Sequence, residues 1–142
     1  MTIGRLIESR TGTIVSCECD TTVREAIAML AERRIGALPV LKHGEVVGIF
    51  SERDVIYQLQ AQGAGVLDKP VGEVMTAPAL TTTPETEILS ALALMTKRRL
   101  RHLPVIKAGT MIAFVSIGDL VKYRIDRIES EAEAMRSYIQ SA

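Results

Sequence analysis

Sliding the 142-residue chain along itself by 65 positions brings residues 34–57 onto residues 99–122 without a gap. Eight of the 24 aligned positions are identical: Arg34/Arg99, Leu38/Leu103, Pro39/Pro104, Val40/Val105, Lys42/Lys107, Gly44/Gly109, Ser51/Ser116 and Asp54/Asp119. Self-similarity at a fixed period means one supersecondary unit used twice, so the fold has to be argued one copy at a time.

The offset carries upstream. Val23, Ile27 and Leu30 fall on Ile88, Leu92 and Met95, an i, i+4, i+7 stripe that forms one buried face of a helix. Thr22-x-x-Glu25 is a capping-box signature ahead of the first stripe, and residues 84–86 supply the start signal in the second copy. After each helix comes an apolar run (37–41 and 103–106), a turn at Gly44 or Gly109, and a second apolar run (46–50 and 111–115), which together predict a β-hairpin. Helices follow over residues 52–62 and from residue 117, and residues 13–19 and 79–83 supply a preceding strand.

Each copy therefore reads strand, helix, strand, strand, helix, an α+β unit. A sheet this small hardly covers its own apolar face, so the two copies are expected to pack together and share a core. The cleft between them is then the natural ligand site. The expected organisation is an N-terminal segment with the first repeat over 1–62, a linker over 63–77 in which 71–75 makes one helical turn, the second repeat over 78–125, and a helical extension over 126–142.

Composition narrows the functional classes. Seventeen basic residues balance seventeen acidic ones and aromatic residues are 4% of the chain, which offers no positive support for nucleic acid binding. No apolar run approaches the roughly 20 residues that span a bilayer, and residues 1–5 lack the apolar stretch of a signal peptide. A cytoplasmic protein is expected. Cys17 and Cys19 share a strand face without disulfide geometry and read as small packed side chains, not as a metal pair. With two separated histidines and neither a P-loop nor a Gly-x-Gly-x-x-Gly segment, no catalytic constellation emerges.

The most informative segments are Ser51-Glu52-Arg53-Asp54 and Ser116-Ile117-Gly118-Asp119, each at a strand-to-helix junction. Ser-x-x-Asp is an ordinary helix cap, Ser serving a backbone N–H and Asp reaching back to the Ser backbone. The same junction offers free N–H groups and a positive dipole end to an anion, Arg53 adds a phosphate-matching fork, and Asp54 accepts hydrogen bonds from ribose hydroxyls. Both readings stay open at this level. Lys97 and Arg98 read as a solvated helix end, and His43 as an exposed hairpin residue.

The duplicated unit, the Leu-Pro-Val strands at 38–40 and 103–105, both Ser-x-x-Asp segments, and Val74-Met75-Thr76 ahead of the second copy resemble a tandem pair of CBS domains, the arrangement called a Bateman module. The resemblance covers essentially residues 13–125. It implies a regulatory module that needs no cofactor and binds AMP, ADP, ATP, NAD or S-adenosylmethionine between its repeats. Carried onto this chain, it places Asp54 and Asp119 on ribose hydroxyls, Ser51 and Ser116 beside ribose or phosphate, and Arg101 and His102 across the cleft toward the phosphate of the Asp54 site. Pro39, Pro104, Gly36 and Ala37 complete the implied ligand set. Arg53 aligns with Gly118, and Arg101-His102 with Gly36-Ala37, so phosphate-binding side chains are expected around Asp54 alone. Gly36 and Ala37 are expected to leave room at Asp119 for an adenine ring or bulkier ligand. Gly48, typical of the family pattern, is replaced by Ala113.

Beyond the second copy, Val121, Ile125, Ile128, Ala132, Met135 and Ile139 recur at steps of 4, 3, 4, 3 and 4, heptad spacing on one helix that runs nearly to Gln140. The expected protein is a homodimeric adenosine-nucleotide sensor acting on a protein partner. Its rival is an interaction module in which Ser-x-x-Asp is merely a cap.

Overall fold

The computed structural model describes residues 1–10 and 12–141. It runs through α1 (Ile3–Ile7), β1 (Cys17–Glu18), α2 (Val23–Arg33), β2 (Ala37–Lys42), β3 (Glu45–Ser51), α3 (Glu52–Gln62), two short 3-10 turns (Ala64–Asp68 and Val71–Glu73), α4 (Ile88–Arg98), β4 (His102–Lys107), β5 (Thr110–Ser116) and α5 (Ile117–Ser141). The fold is α+β, two tandem repeats followed by a long C-terminal helix.

The repeats superpose down to hydrogen-bond register. Ala37 faces Ser51 as His102 faces Ser116, and the register slips between Val40 and Leu41 as it does between Val105 and Ile106. Each hairpin turns through two residues of positive φ, His43 (53°) with Gly44 (80°) and Ala108 (50°) with Gly109 (79°), the backbone handedness that two-residue hairpin turns require. The leading strands are shorter than the expected 13–19 and 79–83. Cys17–Glu18 pairs parallel with β2, and the second copy keeps a single parallel bridge, Thr82 to Val105. The residues before them leave the sheet: Ile14, Val15, Ala79 and Leu80 line clefts instead.

The helix starts confirm the stripes with one change. The Thr22 hydroxyl accepts from the Glu25 N–H at 3.1 Å, and the Glu25 carboxylate accepts from the Thr22 N–H at 3.4 Å. In the second copy the N-cap is Glu87, not residues 84–86, and it makes no side-chain cap bond. The Ile88 N–H donates to the Met1 carbonyl at 3.1 Å, so a distant piece of backbone does the capping.

That contact belongs to an exchange between the repeats. α1, which precedes the first repeat, inserts Ile3 and Leu6 among Ile88, Met95, Leu103, Val115 and Leu120 of the second. The linker before the second repeat inserts Val66, Val71 and Val74 among Val23, Leu30, Leu38 and Phe50 of the first. The shared core thus takes the form of two buried clusters, each completed by the segment that leads into the other repeat.

The linker reaches the first sheet at Gly48. Ile49 and Thr76 exchange both backbone hydrogen bonds at 2.9 Å, and a Cβ on Gly48 would lie 2.8 Å from the Thr76 carbonyl and 2.5 Å from the Met75 sulfur. Gly48→Ala is therefore expected to destabilise the protein by about 1–3 kcal/mol, the usual penalty for overpacking. Urea denaturation of the variant against the parent chain measures it, and an unchanged midpoint would refute the close approach.

Candidate functional site

Each repeat delivers its Ser and Asp at the end of the hairpin, where β3 runs into α3 and β5 into α5. The Ser51 N–H donates to Asp54 Oδ2 at 2.9 Å and the Ser51 hydroxyl to the same oxygen at 3.2 Å. In the second copy the Ser116 N–H donates to Asp119 Oδ2 at 2.8 Å, and the Asp119 N–H to the Ser116 hydroxyl at 3.1 Å. The cap geometry is real in both copies, and it engages Oδ2. A carboxylate has acceptor capacity beyond that, and both aspartates line clefts between the repeats.

The Asp54 cleft has a volume of about 400 Å3. One wall is the β3–α3 junction with Ser51, Arg53, Asp54 and Tyr57, another is the linker with Thr76, Pro78, Ala79 and Leu80, and the third is the segment into β4 with Arg98, Arg99, Arg101 and His102. The structure thus brings Ser51, Arg53, Asp54, Arg101 and His102 together. The Thr76 hydroxyl donates to Asp54 Oδ1 at 3.0 Å, and Arg53 donates to the Arg99 carbonyl at 3.4 Å. Arg98, read from sequence as a solvated helix end, lines this cleft as well.

The Asp119 cleft, about 520 Å3, is lined by Ile7, Arg10, Ile14, Val15, Gly36, Ala37, Phe114, Ser116 and Asp119, with His102 again on its wall. Arg10 brings one guanidinium into this cleft. Its guanidinium contacts Asp119 Oδ2 at 2.8 Å and donates to the Phe114 carbonyl at 3.3 Å. Gly36 lines both clefts, and a Cβ there would lie 2.9 Å from the Glu52 carboxylate on the Asp54 side. Pro39 and Pro104 are buried in mid-strand, outside both cleft linings.

Arg10, Thr76, Tyr57 and Leu80 escaped sequence reasoning. A signal for the first two exists: Ile3-Gly4 matches Val71-Gly72 at an offset of 68, marking two equivalent leading segments. Their reach to Asp119 and Asp54 depends on the exchange between repeats, which the offset does not reveal.

The environments set the charges. Burial alone would raise the Asp119 pKa, but hydrogen bonds from Arg10 and Ser116 together with the Arg10 charge outweigh it and hold the carboxyl below its usual range. Burial dominates at His102 and lowers its pKa below 6.5 despite the nearby Asp119 and Glu52 carboxylates, so the ring is neutral at pH 7. It stacks on Phe114 with centroids 5.3 Å apart and planes 11° from parallel. Cys17 is a core residue whose thiol is pushed up to about 11 by burial and then by Glu18 and Cys19, which leaves it un-ionised and inert.

Known proteins carry the same architecture. Residues 9–61 and 71–126 each match the family model of the CBS domain. The CBS domain-containing protein CBSX3, mitochondrial, of Arabidopsis thaliana is 39% identical over 138 residues, covering 94% of this chain and 67% of that protein. The crystal structure of the CBS-domain containing protein ATU1752 from Agrobacterium tumefaciens aligns with a TM-score of 0.82 at 32% identity, over 87% of this chain and 99% of that one. The crystal structure of CBSX2 in complex with AMP aligns with a TM-score of 0.74 at 27% identity, over 88% and 96%. The duplicated unit read from the sequence, its register in the structure and these two matched segments make the chain a member of the CBS-domain family, with two CBS domains in tandem.

Proposed function

We propose that the protein is a cytoplasmic, homodimeric sensor that binds an adenosine-containing ligand between its CBS domains and reports occupancy to a protein partner by a change in their arrangement, without chemistry of its own. The observation that carries this reading is the repeated junction at which a carboxylate is fixed by its own Ser N–H and lines a cleft between the repeats. Ribose hydroxyls are suitable donors to such a carboxylate. At Asp54, Ile49, Tyr57 and Leu80 offer apolar surface to a base while Arg53, Arg98, Arg99 and Arg101 offer guanidiniums to phosphate. AMP in the related CBSX2 supports adenosine as the shared part of the ligand. Because the clefts lie between repeats, a ligand touching both biases one arrangement over another, which is what a sensor requires.

The dimer rests on α5. Val121, Ile125, Ile128, Met135 and Ile139 are all exposed in the single chain, Ile139 to 68%, and a stripe of this length is stabilised when a second copy covers it. Charged substitution of its middle, Ile125→Glu with Ile128→Glu, is expected to yield a monomer by light scattering, whereas a dimer surviving the change would place the contact elsewhere.

Ligand recognition is tested by thermal unfolding with AMP, ADP, ATP, NAD and S-adenosylmethionine, and GMP as base control. Ligand at about a hundred times its Kd stabilises by about 2.7 kcal/mol, a shift on the order of 5 °C for a domain of this size. Adenosine compounds should raise the Tm, and the effect should shrink in Asp54→Ala or Asp119→Ala. If no compound shifts the Tm, Ser-x-x-Asp serves as a cap alone and the rival interaction module stands.

Acid stability follows from the two depressed pKa values. Asp119 contributes stability that is fully present above the ordinary carboxylate pKa and is lost as the pH falls through its lower folded value. For His102 the unfolded chain takes up its proton near 6.5 and the folded one only at lower pH, so stability declines as the pH drops below about 6.5. His102→Gln should flatten the stability profile between about pH 7 and 5, and Arg10→Gln should move the carboxylate-dependent loss to higher pH. Urea midpoints across pH measure both, and profiles that overlay the parent would contradict the assignment.

A further inference from the structure

Formal charge divides the two clefts more sharply than shape does. The Asp54 cleft is lined by four guanidiniums, Arg53, Arg98, Arg99 and Arg101, against two carboxylates, Glu52 and Asp54, a surplus of two positive charges. None of those four arginines is ion-paired among the described residues. Among its described lining residues the Asp119 cleft has one guanidinium and one carboxylate, Arg10 and Asp119, already in contact at 2.8 Å. His102 stands on both walls, and as a neutral ring at pH 7 it adds no charge to either. The less charged cleft is also the larger, about 520 against 400 Å3, so room is not what separates them.

The consequences for a phosphate are opposite. A terminal phosphate brings about −1.5 to −2 charges at neutral pH, and the unpaired guanidiniums of the Asp54 cleft meet those charges with forked, charge-assisted hydrogen bonds. In the Asp119 cleft a phosphate must either sit beside the Asp119 carboxylate without a counter-ion or draw Arg10 away and leave Asp119 without one. An anion withdrawn from water without a partner is unfavourable in both cases. Ribose hydroxyls are neutral donors and face no such conflict. Asp119 Oδ1 has no hydrogen-bond partner among the described residues, so a ribose can engage it while Arg10 stays on Oδ2. Ile14, Val15 and Phe114 supply apolar wall for a base.

We infer that the clefts are specialised by charge: the Asp54 cleft takes an adenine nucleoside polyphosphate, while the Asp119 cleft takes an adenine nucleoside without phosphate, Arg10 serving there as counter-ion of Asp119. The identity of the base and sugar rests on the adenosine reading proposed above; the division by charge rests on the lining side chains.

Titration calorimetry on the full chain tests it, with each cleft silenced in turn. Asp119→Ala combined with Arg10→Gln leaves the Asp54 cleft, and the triple variant Asp54→Ala, Arg98→Gln, Arg101→Gln leaves the Asp119 cleft. ATP, adenosine and inorganic tripolyphosphate are the probes, at low and at raised salt, after circular dichroism confirms that each variant is folded. The Asp119→Ala, Arg10→Gln protein should bind ATP at least about tenfold more tightly than adenosine, as one charge-assisted hydrogen bond suffices to produce. That advantage should fall as salt rises, and tripolyphosphate should bind as well. The triple variant should bind adenosine at least as tightly as ATP and lose tripolyphosphate, and adding Arg10→Gln should not weaken ATP relative to adenosine. If the triple variant prefers ATP and Arg10→Gln abolishes the preference, Arg10 is a phosphate ligand, and the specialisation is overturned while the adenosine reading stands. Tripolyphosphate binding with no adenine compound bound by any form overturns the adenosine reading, and the assignment of these nucleosides with it.

Discussion

Two short stretches of backbone, each clamped onto the repeat it does not belong to, carry the rest of the structure. Val71 donates to Thr21 at 2.7 Å and Val23 to Lys69 at 2.9 Å, while Ile3 donates to Thr86 at 2.9 Å and Ile88 to Met1 at 3.1 Å. Each clamp satisfies a free N–H at the start of a buried helix and places a fully buried side chain, Val71 or Ile3, in a core that is otherwise open on that side. A sheet of two or three strands with one helix stripe does not bury enough on its own. The exchange therefore joins two marginal units into one.

The same exchange builds the clefts. Because the linker crosses the first sheet at Gly48, Thr76 arrives at Asp54. Because the N-terminal segment packs its α1 into the second core, Arg10 arrives at Asp119. Each aspartate is touched by its own repeat through Ser and by the other through the leading segment, so cap and cleft are two uses of one carboxylate. The hairpins and their helix junctions repeat closely, although β1 gives the first sheet a third strand and α5 runs far beyond the length of α3. The clefts differ in side chains: Arg53 against Gly118, Arg101-His102 against Gly36-Ala37, and Thr76 on Asp54 where Arg10 meets Asp119. Ligand preference can then diverge between the clefts without disturbing the fold.

α5 obeys a different constraint. Its first turns are held by the second core through Leu120 and Tyr123, and beyond them the protein offers nothing for the stripe to pack on. A helix continuing into water is marginal by itself, and the 18 residues of α5 after Tyr123 leave Ile125, Ile128, Met135 and Ile139 exposed on the stripe proposed above to be covered by a second copy.

The helix, hairpin and helix order within each repeat, the hairpin turns, both helix stripes, the long last helix and the two Ser-x-x-Asp junctions were legible in the sequence, because each depends on residues within a few positions of one another. α1 and the loss of the strand expected over 79–83 were not legible there. Capping boxes, period-3.6 stripes and Gly-centred turns are local physics written locally. Duplication made them readable twice, and the register later found in one hairpin recurs in the other. What only the tertiary structure decided is where the leading segments go. Residues 1–10 carry too few apolar positions to announce a partner, and nothing local says that Ile3 belongs with Ile88 rather than with Val23. Arg10 became a cleft residue, Glu52 filled the space beside Gly36, His102 turned its ring onto Phe114, and Pro39 and Pro104 stayed buried in their strands. Each outcome depends on contacts between residues far apart in the chain, set by chain path and packing and not by any spacing along the sequence.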